Sequence, residues 1–416
     1  CFNFRLYISL SITRESRLRI AYRLRLSLIN IFVHLLRMGE EAASSVKVGN
    51  DIVVNIRKAK NEFPFPAREG CVACGLGNKV YVFGGVIQGD HAEPQETNDL
   101  LLFNIESETW QKVKGSGTLP PPRAAASLVA VGTKLYLFGG LSHMTGWFDD
   151  IFVFDTETVS WSVMETQGNK PRARDKLQGV AIGTNIYYFG GFGPQSDGFN
   201  NMEEEDEEEE EEETIPEAQE QHGAEFGWFN DLYVLDTVNK AWKQPIQMNL
   251  GVPSPRAAHG MCAIGNNLYI FGGRDFLDRQ NDLYCFDTVT RKWDMELAPE
   301  GALPGPRSFH TAVAAGSRVV VMGGRGRDNS HFGDVQLFDT ETHQWLQPQM
   351  KGAAMTPRGQ HVTVATGNTV VVFGGTGNFS PETMQCQQFY TDTFLVSAED
   401  LCKGGAQPVT NGSGNA

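Results

Sequence analysis

Short apolar runs recur along this chain, and each runs into a pair of glycines: Val-Tyr-Val-Phe at 80–83, Leu-Tyr-Leu-Phe at 135–138, Ile-Tyr-Tyr-Phe at 186–189, Leu-Tyr-Ile-Phe at 268–271, Val-Val-Val-Met at 319–322 and Val-Val-Val-Phe at 370–373. Runs of four or five β-branched and aromatic residues read as buried strands. A glycine pair after such a run lets the backbone turn where a side chain would clash. The next strand alternates. In Asn-Asp-Leu-Tyr-Val-Leu-Asp (230–236), Leu232, Val234 and Asp236 share one face, and Tyr233 and Leu235 the other. Asp-Thr-Glu-Thr at 155–158 and 339–342 is turn chemistry ahead of a Trp-bearing strand. The stretch from Pro253 to Trp293 holds one whole unit: Pro-Arg, strand, Gly-Gly strand, charged loop, Asn-Asp strand, Trp strand.

The unit repeats. The glycine pairs begin at Gly84, Gly139, Gly190, Gly272, Gly323 and Gly374, at intervals of 55, 51, 82, 51 and 51, and Trp110, Trp161, Trp242, Trp293 and Trp345 follow downstream. A period near 50 with Gly-Gly and a spaced Trp resembles kelch repeats, each of which is a four-stranded propeller blade. The resemblance covers roughly residues 50–397 and implies an all-β fold, a six-bladed kelch β-propeller. The sixth repeat ends at Thr393–Val396 with no Trp strand after it, while 51–57 form a strand ahead of the first repeat. That N-terminal strand is therefore expected as the missing outer strand of the last blade, which closes the ring and hides open edges.

Charge and composition change the picture at three places. Residues 1–49 are expected to be a leader, disordered or non-native. Residues 1–37 carry seven Arg and one acid, Glu15, a composition that also describes a transit peptide, and Met38 is expected as the true start. The third interval is about thirty residues too long. It holds eleven consecutive acids at 203–213, which account for eleven of the fifteen net negative charges and leave −4. An insertion over 200–222 in the loop after a Gly-Gly strand is expected to be solvated and disordered. The remainder lacks the basic surface that phosphate binding needs, so neither nucleic acid nor membrane is expected as a partner. Residues 398–416 are expected as a disordered tail. Of the seven cysteines, Cys71 and Cys74 form a CxxC on a strand, where side chains three apart point to opposite faces, so a buried apolar role is expected and not zinc. Few cysteines, odd in number, fit a reducing compartment, cytoplasm or nucleus.

The loops after the Gly-Gly strands and those at the Pro-Arg starts are expected to meet on one face. They carry Lys176, Phe192, Trp228, Arg274, Arg279, Ser308 and Phe309. Two guanidiniums, an ammonium and a hydroxyl suit a carboxylate, because Arg offers paired donors to its two oxygens. Aromatic walls suit a narrow slot that leaves no room for a side chain beyond Gly. The residues alone leave open that Arg274 and Arg279 simply pair with Asp275, Asp278 or Asp282, and that Trp228 and Phe309 are core.

Asp-Lys-Leu at 175–177, Gly-Trp at 227–228, Ser-Pro-Arg-Ala-Ala-His at 254–259, Phe-Gly-Gly-Arg at 271–274 with Arg279, and Arg-Ser-Phe-His at 307–310 resemble the kelch domain-containing substrate receptors of cullin-2 RING ubiquitin ligases, which read C-terminal diglycine degrons. The resemblance implies that Arg274, Arg279 and Ser308 hold the terminal carboxylate with Lys176 in support, and that Phe192, Trp228 and Phe309 wall the slot. It implies protein C-terminal peptides and elongin and cullin-2 components as partners, and no cofactor. Phe192 and Phe309 stand where the family has Tyr and Trp. Asp400-Leu401-Cys402-Lys403 runs into Gly404-Gly405 rather than into an elongin-binding box. A general interaction scaffold for cytoskeletal or trafficking proteins is the alternative reading. A metal-dependent kelch enzyme is a minor one, since His259, His310 and His361 recur at equivalent repeat positions, where a structural role is the better reading.

Overall fold

A computed structural model of the chain describes residues 52–88, 94–195, 226–249, 251–294 and 301–404. The expected leader 1–49, the insertion 200–222 and the chain beyond 404 lie outside the described residues. Six sheets of four or five strands, with four smaller ones of two or three, organise the described chain. Their innermost strands are Val72–Leu76, Ser127–Val131, Gln178–Ile182, Gly260–Ile264, Thr311–Ala315 and Val362–Thr366. Each neighbours the next, and the last neighbours the first, so the sheets follow one another around an axis. They are numbered here 1 to 6 in that order.

Sheet 4 shows the local logic. Gly260–Ile264 pairs antiparallel with Asn267–Arg274, which pairs with Arg279–Asp287, which pairs with Lys292–Asp294. Gly272 and Gly273 have φ of +60° and +97°. A Cβ on Gly272 would lie 2.9 Å from the Arg307 carbonyl oxygen, and one on Gly273 would lie 2.7 Å from the His259 Cβ. Only glycine has both the conformational freedom and the space for this double turn.

The repeated Pro-Arg has a physical task on both of its ends. The side chains of Arg68, Arg123, Arg174, Arg256, Arg307 and Arg358 are almost completely buried. Each donates from Nη1 to the carbonyl of the first glycine of its own sheet's pair, as Arg256 does to Gly272 at 2.9 Å. Five of them also grip an aspartate at the head of the third strand; Arg256 reaches the two oxygens of Asp282 at 2.6 and 2.9 Å. The Arg carbonyls accept from the second glycine of the preceding sheet, so that Gly273 N–H bonds Arg307 and Gly324 N–H bonds Arg358. One residue thus pins its own sheet and the seam to the next.

Aromatic contacts fill those seams. Where a Phe precedes the glycine pair, in five of the six sheets, it packs on the Trp of the following sheet: Phe83 on Trp161, Phe138 on Trp242, Phe189 on Trp293, Phe271 on Trp345. Phe373 of sheet 6 packs on Trp110 of sheet 1 with centroids 4.6 Å apart, so the same contact closes the cycle. Cys71 and Cys74 are both buried, in two different apolar clusters, as opposite faces of a strand require.

Sheet 6 is completed from the far end of the chain. Val53–Lys58 pairs antiparallel with Thr393–Ser397 and, on its other edge, parallel with Gln349–Gly352. Ile52, Val54 and Ile56 point into a core with Val370, Val372, Phe394 and Val396.

The tail expected to be disordered from 398 is corrected over its first residues. Ala398–Cys402 is a short helix, with the Ser397 side chain accepting from the Asp400 N–H. Leu401 is fully buried, and the Arg318 guanidinium, itself paired with Asp339, donates to the Leu401, Lys403 and Gly404 carbonyls. Among the described residues no helix is long and apolar enough to cross a membrane.

Candidate functional site

The residue after each of the six repeat arginines pairs with the residue after that sheet's glycine pair. The six pairs are Glu69 with Val86, Ala124 with Leu141, Asp175 with Phe192, Ala257 with Arg274, Ser308 with Arg325, and Gly359 with Thr376. The next residues, Gly70, Ala125, Lys176, Ala258, Phe309 and Gln360, all have φ between +53° and +62°. In this strained conformation they form a collar. Ala125 N–H bonds the Gly70 carbonyl, Lys176 bonds Ala125, Ala258 bonds Lys176, Phe309 bonds Ala258 and Gln360 bonds Phe309, at 2.7–3.0 Å. Lys176, Ala258, Phe309 and Gln360 line the mouth of an axial cavity of about 160 Å³, with His259, His310 and His361 below them.

Arg279 and Ser308 are brought together. Arg279 is 5% exposed, and Ser308 is fully buried. Arg279 donates from Nε to Ser308 Oγ at 3.0 Å and from Nη2 to Asn329 Oδ1 at 3.1 Å. Ser308 Oγ, already accepting, has its own proton to give to a ligand. Arg274 stands opposite Arg279 in the same hairpin and is exposed. Its side chain makes no hydrogen bond or ion pair among the described residues. Burial and repulsion by Arg325 and Arg274 lower the Arg279 pKa to about 10, against the pull of Asp278 and Asp328. The ion pairs that the residues alone had left open for this Arg pair do not form: Asp282 is taken by Arg256, Asp278 by Arg327, and Asp275 accepts from Ser254, Gln280 and the Leu277 and Asp278 N–H groups.

Lys176 lies on the collar of sheet 3, and its Nζ is paired with the buried Asp175 carboxylate, so its charge is already answered. Phe192 and Trp228 face each other across a hairpin, edge to face, with centroids 5.1 Å apart. Trp228 in turn touches Phe276. Phe309 lies on the other side of the mouth under Arg325, whose guanidinium is 5.4 Å from its ring. Half-buried as they are, these three aromatics belong to the rim and not to the core. The aromatic group thus sits on sheets 3 and 5, flanking the cationic group on 4 and 5.

Sequence reasoning missed Arg325, Glu69 and Trp147. Trp147 packs near Phe192 and against Phe226. Glu69 is held by Gln360 Nε2 at 2.7 Å and Thr376 Oγ1 at 2.9 Å, and its pKa is raised mainly by burial. The signal that could have found Arg325 and Glu69 is their place in the repeat: each occupies one of the twelve paired rim positions.

His259, His310 and His361 are buried at the seams, and burial holds all three well below the usual range, His259 and His361 at about 3. His310 Nε2 accepts the Gly260 N–H of the preceding sheet at 3.0 Å. His361 Nε2 lies 3.1 Å from Thr311 Oγ1. The neighbours of His310 and His361 are thus backbone and hydroxyl groups across a seam, while the His259 ring packs edge-on against Phe189. Among the described residues no group of three or more His, Cys, Asp or Glu side chains converges to hold a metal ion.

Residues 54–210 and 218–397 match the family model described as the KLHDC2/KLHL20/DRC7 Kelch-repeats domain. The chain is similar to Kelch domain-containing protein 2 of Bos taurus, 31% identical over 332 residues, 76% of this chain and 78% of that protein. It is similar also to Kelch domain-containing protein 1 of Mus musculus, 30% identical over 318 residues, 74% and 75% of the two chains. Kelch domain-containing protein 3 of Bos taurus is 29% identical over 373 residues, 81% and 87% of the two chains. The repeat, the sheet-by-sheet Pro-Arg and Gly-Gly bonding and this match over most of its length agree: the chain belongs to the kelch-repeat family, of the type of the KLHDC2/KLHL20/DRC7 domain.

Proposed function

We propose that this kelch-repeat protein-interaction domain captures the C-terminal carboxylate of a partner peptide ending in Gly, and that it does so as a substrate receptor for ubiquitin ligase targeting. The observation that carries the reading is a charge imbalance. Arg68, Arg123, Arg174, Arg256, Arg307, Arg318 and Arg358 each have a carboxylate within 3.7 Å. Among the described residues Arg274 and Arg279 have none, yet they pair across one hairpin and Arg279 holds a buried hydroxyl on the same rim. Cations brought together without an anion are costly, and a carboxylate satisfies them with bidentate geometry. Phe192, Trp228 and Phe309 supply the walls that favour Gly over a larger last residue.

Fluorescence anisotropy with three peptides tests this. The peptide ending in Gly-Gly with a free carboxylate binds. Its amide binds more weakly by about 2–5 kcal/mol, the range for breaking a buried hydrogen-bonded charge pair. The peptide ending in Leu fails. Arg279→Ala costs a similar amount for the free acid and nothing for the amide. Equal binding of acid and amide removes the carboxylate reading and leaves an interaction scaffold. Coupling to elongin and cullin-2 is a separate step, read by whether the full chain co-purifies with them.

A further inference from the structure

Ser308 ties two arginines together. Its Oγ accepts from Arg279, and its backbone exchanges both hydrogen bonds with Arg325, Ser308 N–H to the Arg325 carbonyl at 3.1 Å and Arg325 N–H to the Ser308 carbonyl at 2.8 Å. Arg325 lies between two rings, 4.4 Å from Phe379 and 5.4 Å from Phe309. Stacking of this kind fixes a guanidinium without using its in-plane donors. Its Nε is buried and has no hydrogen-bond partner among the described residues. A buried donor left unmade is expensive and calls for an explanation.

Among the described residues no carboxylate bonds it. Glu69, whose charge favours the charged form of Arg325, is occupied by Gln360 and Thr376 and forms no ion pair with Arg325. His331, which pairs with Arg325 through the backbone, has a pKa lowered to about 4 by burial and then by Arg325 and Arg279, so it is neutral at pH 7 and offers no charge. Both Arg325 and Arg274 repel Arg279, Arg325 the more. Arg274, in contrast, is exposed.

We infer that Arg325 is a ligand-binding residue of this site: the anion seats between Arg279 and Arg325 over the Ser308 hydroxyl, and Arg274 is the outer contact. This rests on the carboxylate reading above and changes its anatomy. The clamp spans two sheets and is centred on Ser308, and it does not consist of the two arginines of one hairpin. One anion placed there meets the orphaned Nε–H, relieves the mutual repulsion of the buried Arg279 and half-buried Arg325 guanidiniums, and accepts a hydrogen bond from the Ser308 hydroxyl.

The test uses the full chain and two fluorescein-labelled peptides, Gly-Gly free acid and Gly-Gly amide, with Arg325→Gln, Arg325→Lys and Arg274→Gln. Arg325→Gln is expected to weaken the free acid by at least about tenfold, the size of one lost charge-assisted hydrogen bond, and to leave the amide and the melting temperature unchanged. Arg325→Lys recovers part of the loss, because it restores charge without the fork. Arg274→Gln loses less than Arg325→Gln. A wild type that discriminates acid from amide, with Arg325→Gln binding the acid within about threefold of it, overturns this assignment and leaves the carboxylate reading standing. Equal losses for acid and amide mark Arg325 as structural and overturn it too. A wild type that binds both peptides alike removes the carboxylate reading and this assignment together.

Discussion

Arg256 is fully buried with a charge answered chiefly by Asp282, with Ser254, a glycine carbonyl and the Tyr284 ring beside it. Replacing such a pair with apolar groups can be neutral, but removing one partner is not. Asp282→Ala is therefore expected to destabilise the protein by about 3–5 kcal/mol, because Arg256 stays buried and loses its counter-charge. Urea denaturation measures it, and a loss under about 1 kcal/mol would show that the pair is not needed. The same reasoning explains what was legible at this scale. Pro-Arg and Gly-Gly could be read because each acts on its own sheet and on the next, at fixed offsets along the chain. Arg325 could not, because an Arg after a glycine pair looks ordinary until Ser308 and Arg279 are seen to surround it.

At the scale of elements, the strand Val53–Lys58 is the one that joins the two ends of the described chain. With Ile52 just ahead of it, it contributes three buried aliphatics to the core of sheet 6, and it is paired on both edges. Ile56→Ala is expected to cost about 2–5 kcal/mol, the range for a large-to-small change in a core, and deletion of 50–58 to lower the melting temperature of the whole domain. An unchanged melting temperature for the deletion would mean that closure of the ring does not carry stability. The strand was visible in the sequence because its apolar alternation stands at the distance from Pro66-Ala67-Arg68 that a Trp strand keeps elsewhere. The helix Ala398–Cys402 was not visible. Five residues cannot hold a helix by propensity, and what holds this one is Arg318, 83 positions away.

The whole molecule carries a built-in response to acid. His259, His310 and His361 stay neutral in the folded chain far below the 6.5 at which they titrate when unfolded. Above pH 6.5 both states are neutral at these sites and nothing changes. Below it the unfolded chain takes up protons at these three sites, and at His331 down to about pH 4, that the folded chain refuses, so stability falls, by about 1.4 kcal/mol per pH unit for each histidine and about 4 kcal/mol per unit for the three alone. Melting temperatures at pH 7, 6 and 5 should therefore drop steeply below 6.5, above the range where carboxylates begin to contribute. A flat profile from 7 to 5 would contradict the buried, neutral state of these rings. The collar at the mouth has a different consequence. Five of its six backbone N–H groups are spent on one another from sheet to sheet, so the main chain there is a mount with few donors left for a visitor. What the mouth prefers is then written in side chains, at the six pairs from Glu69 and Val86 to Gly359 and Thr376. A new preference can arise one substitution at a time, in evolution or at the bench, without the scaffold being rebuilt.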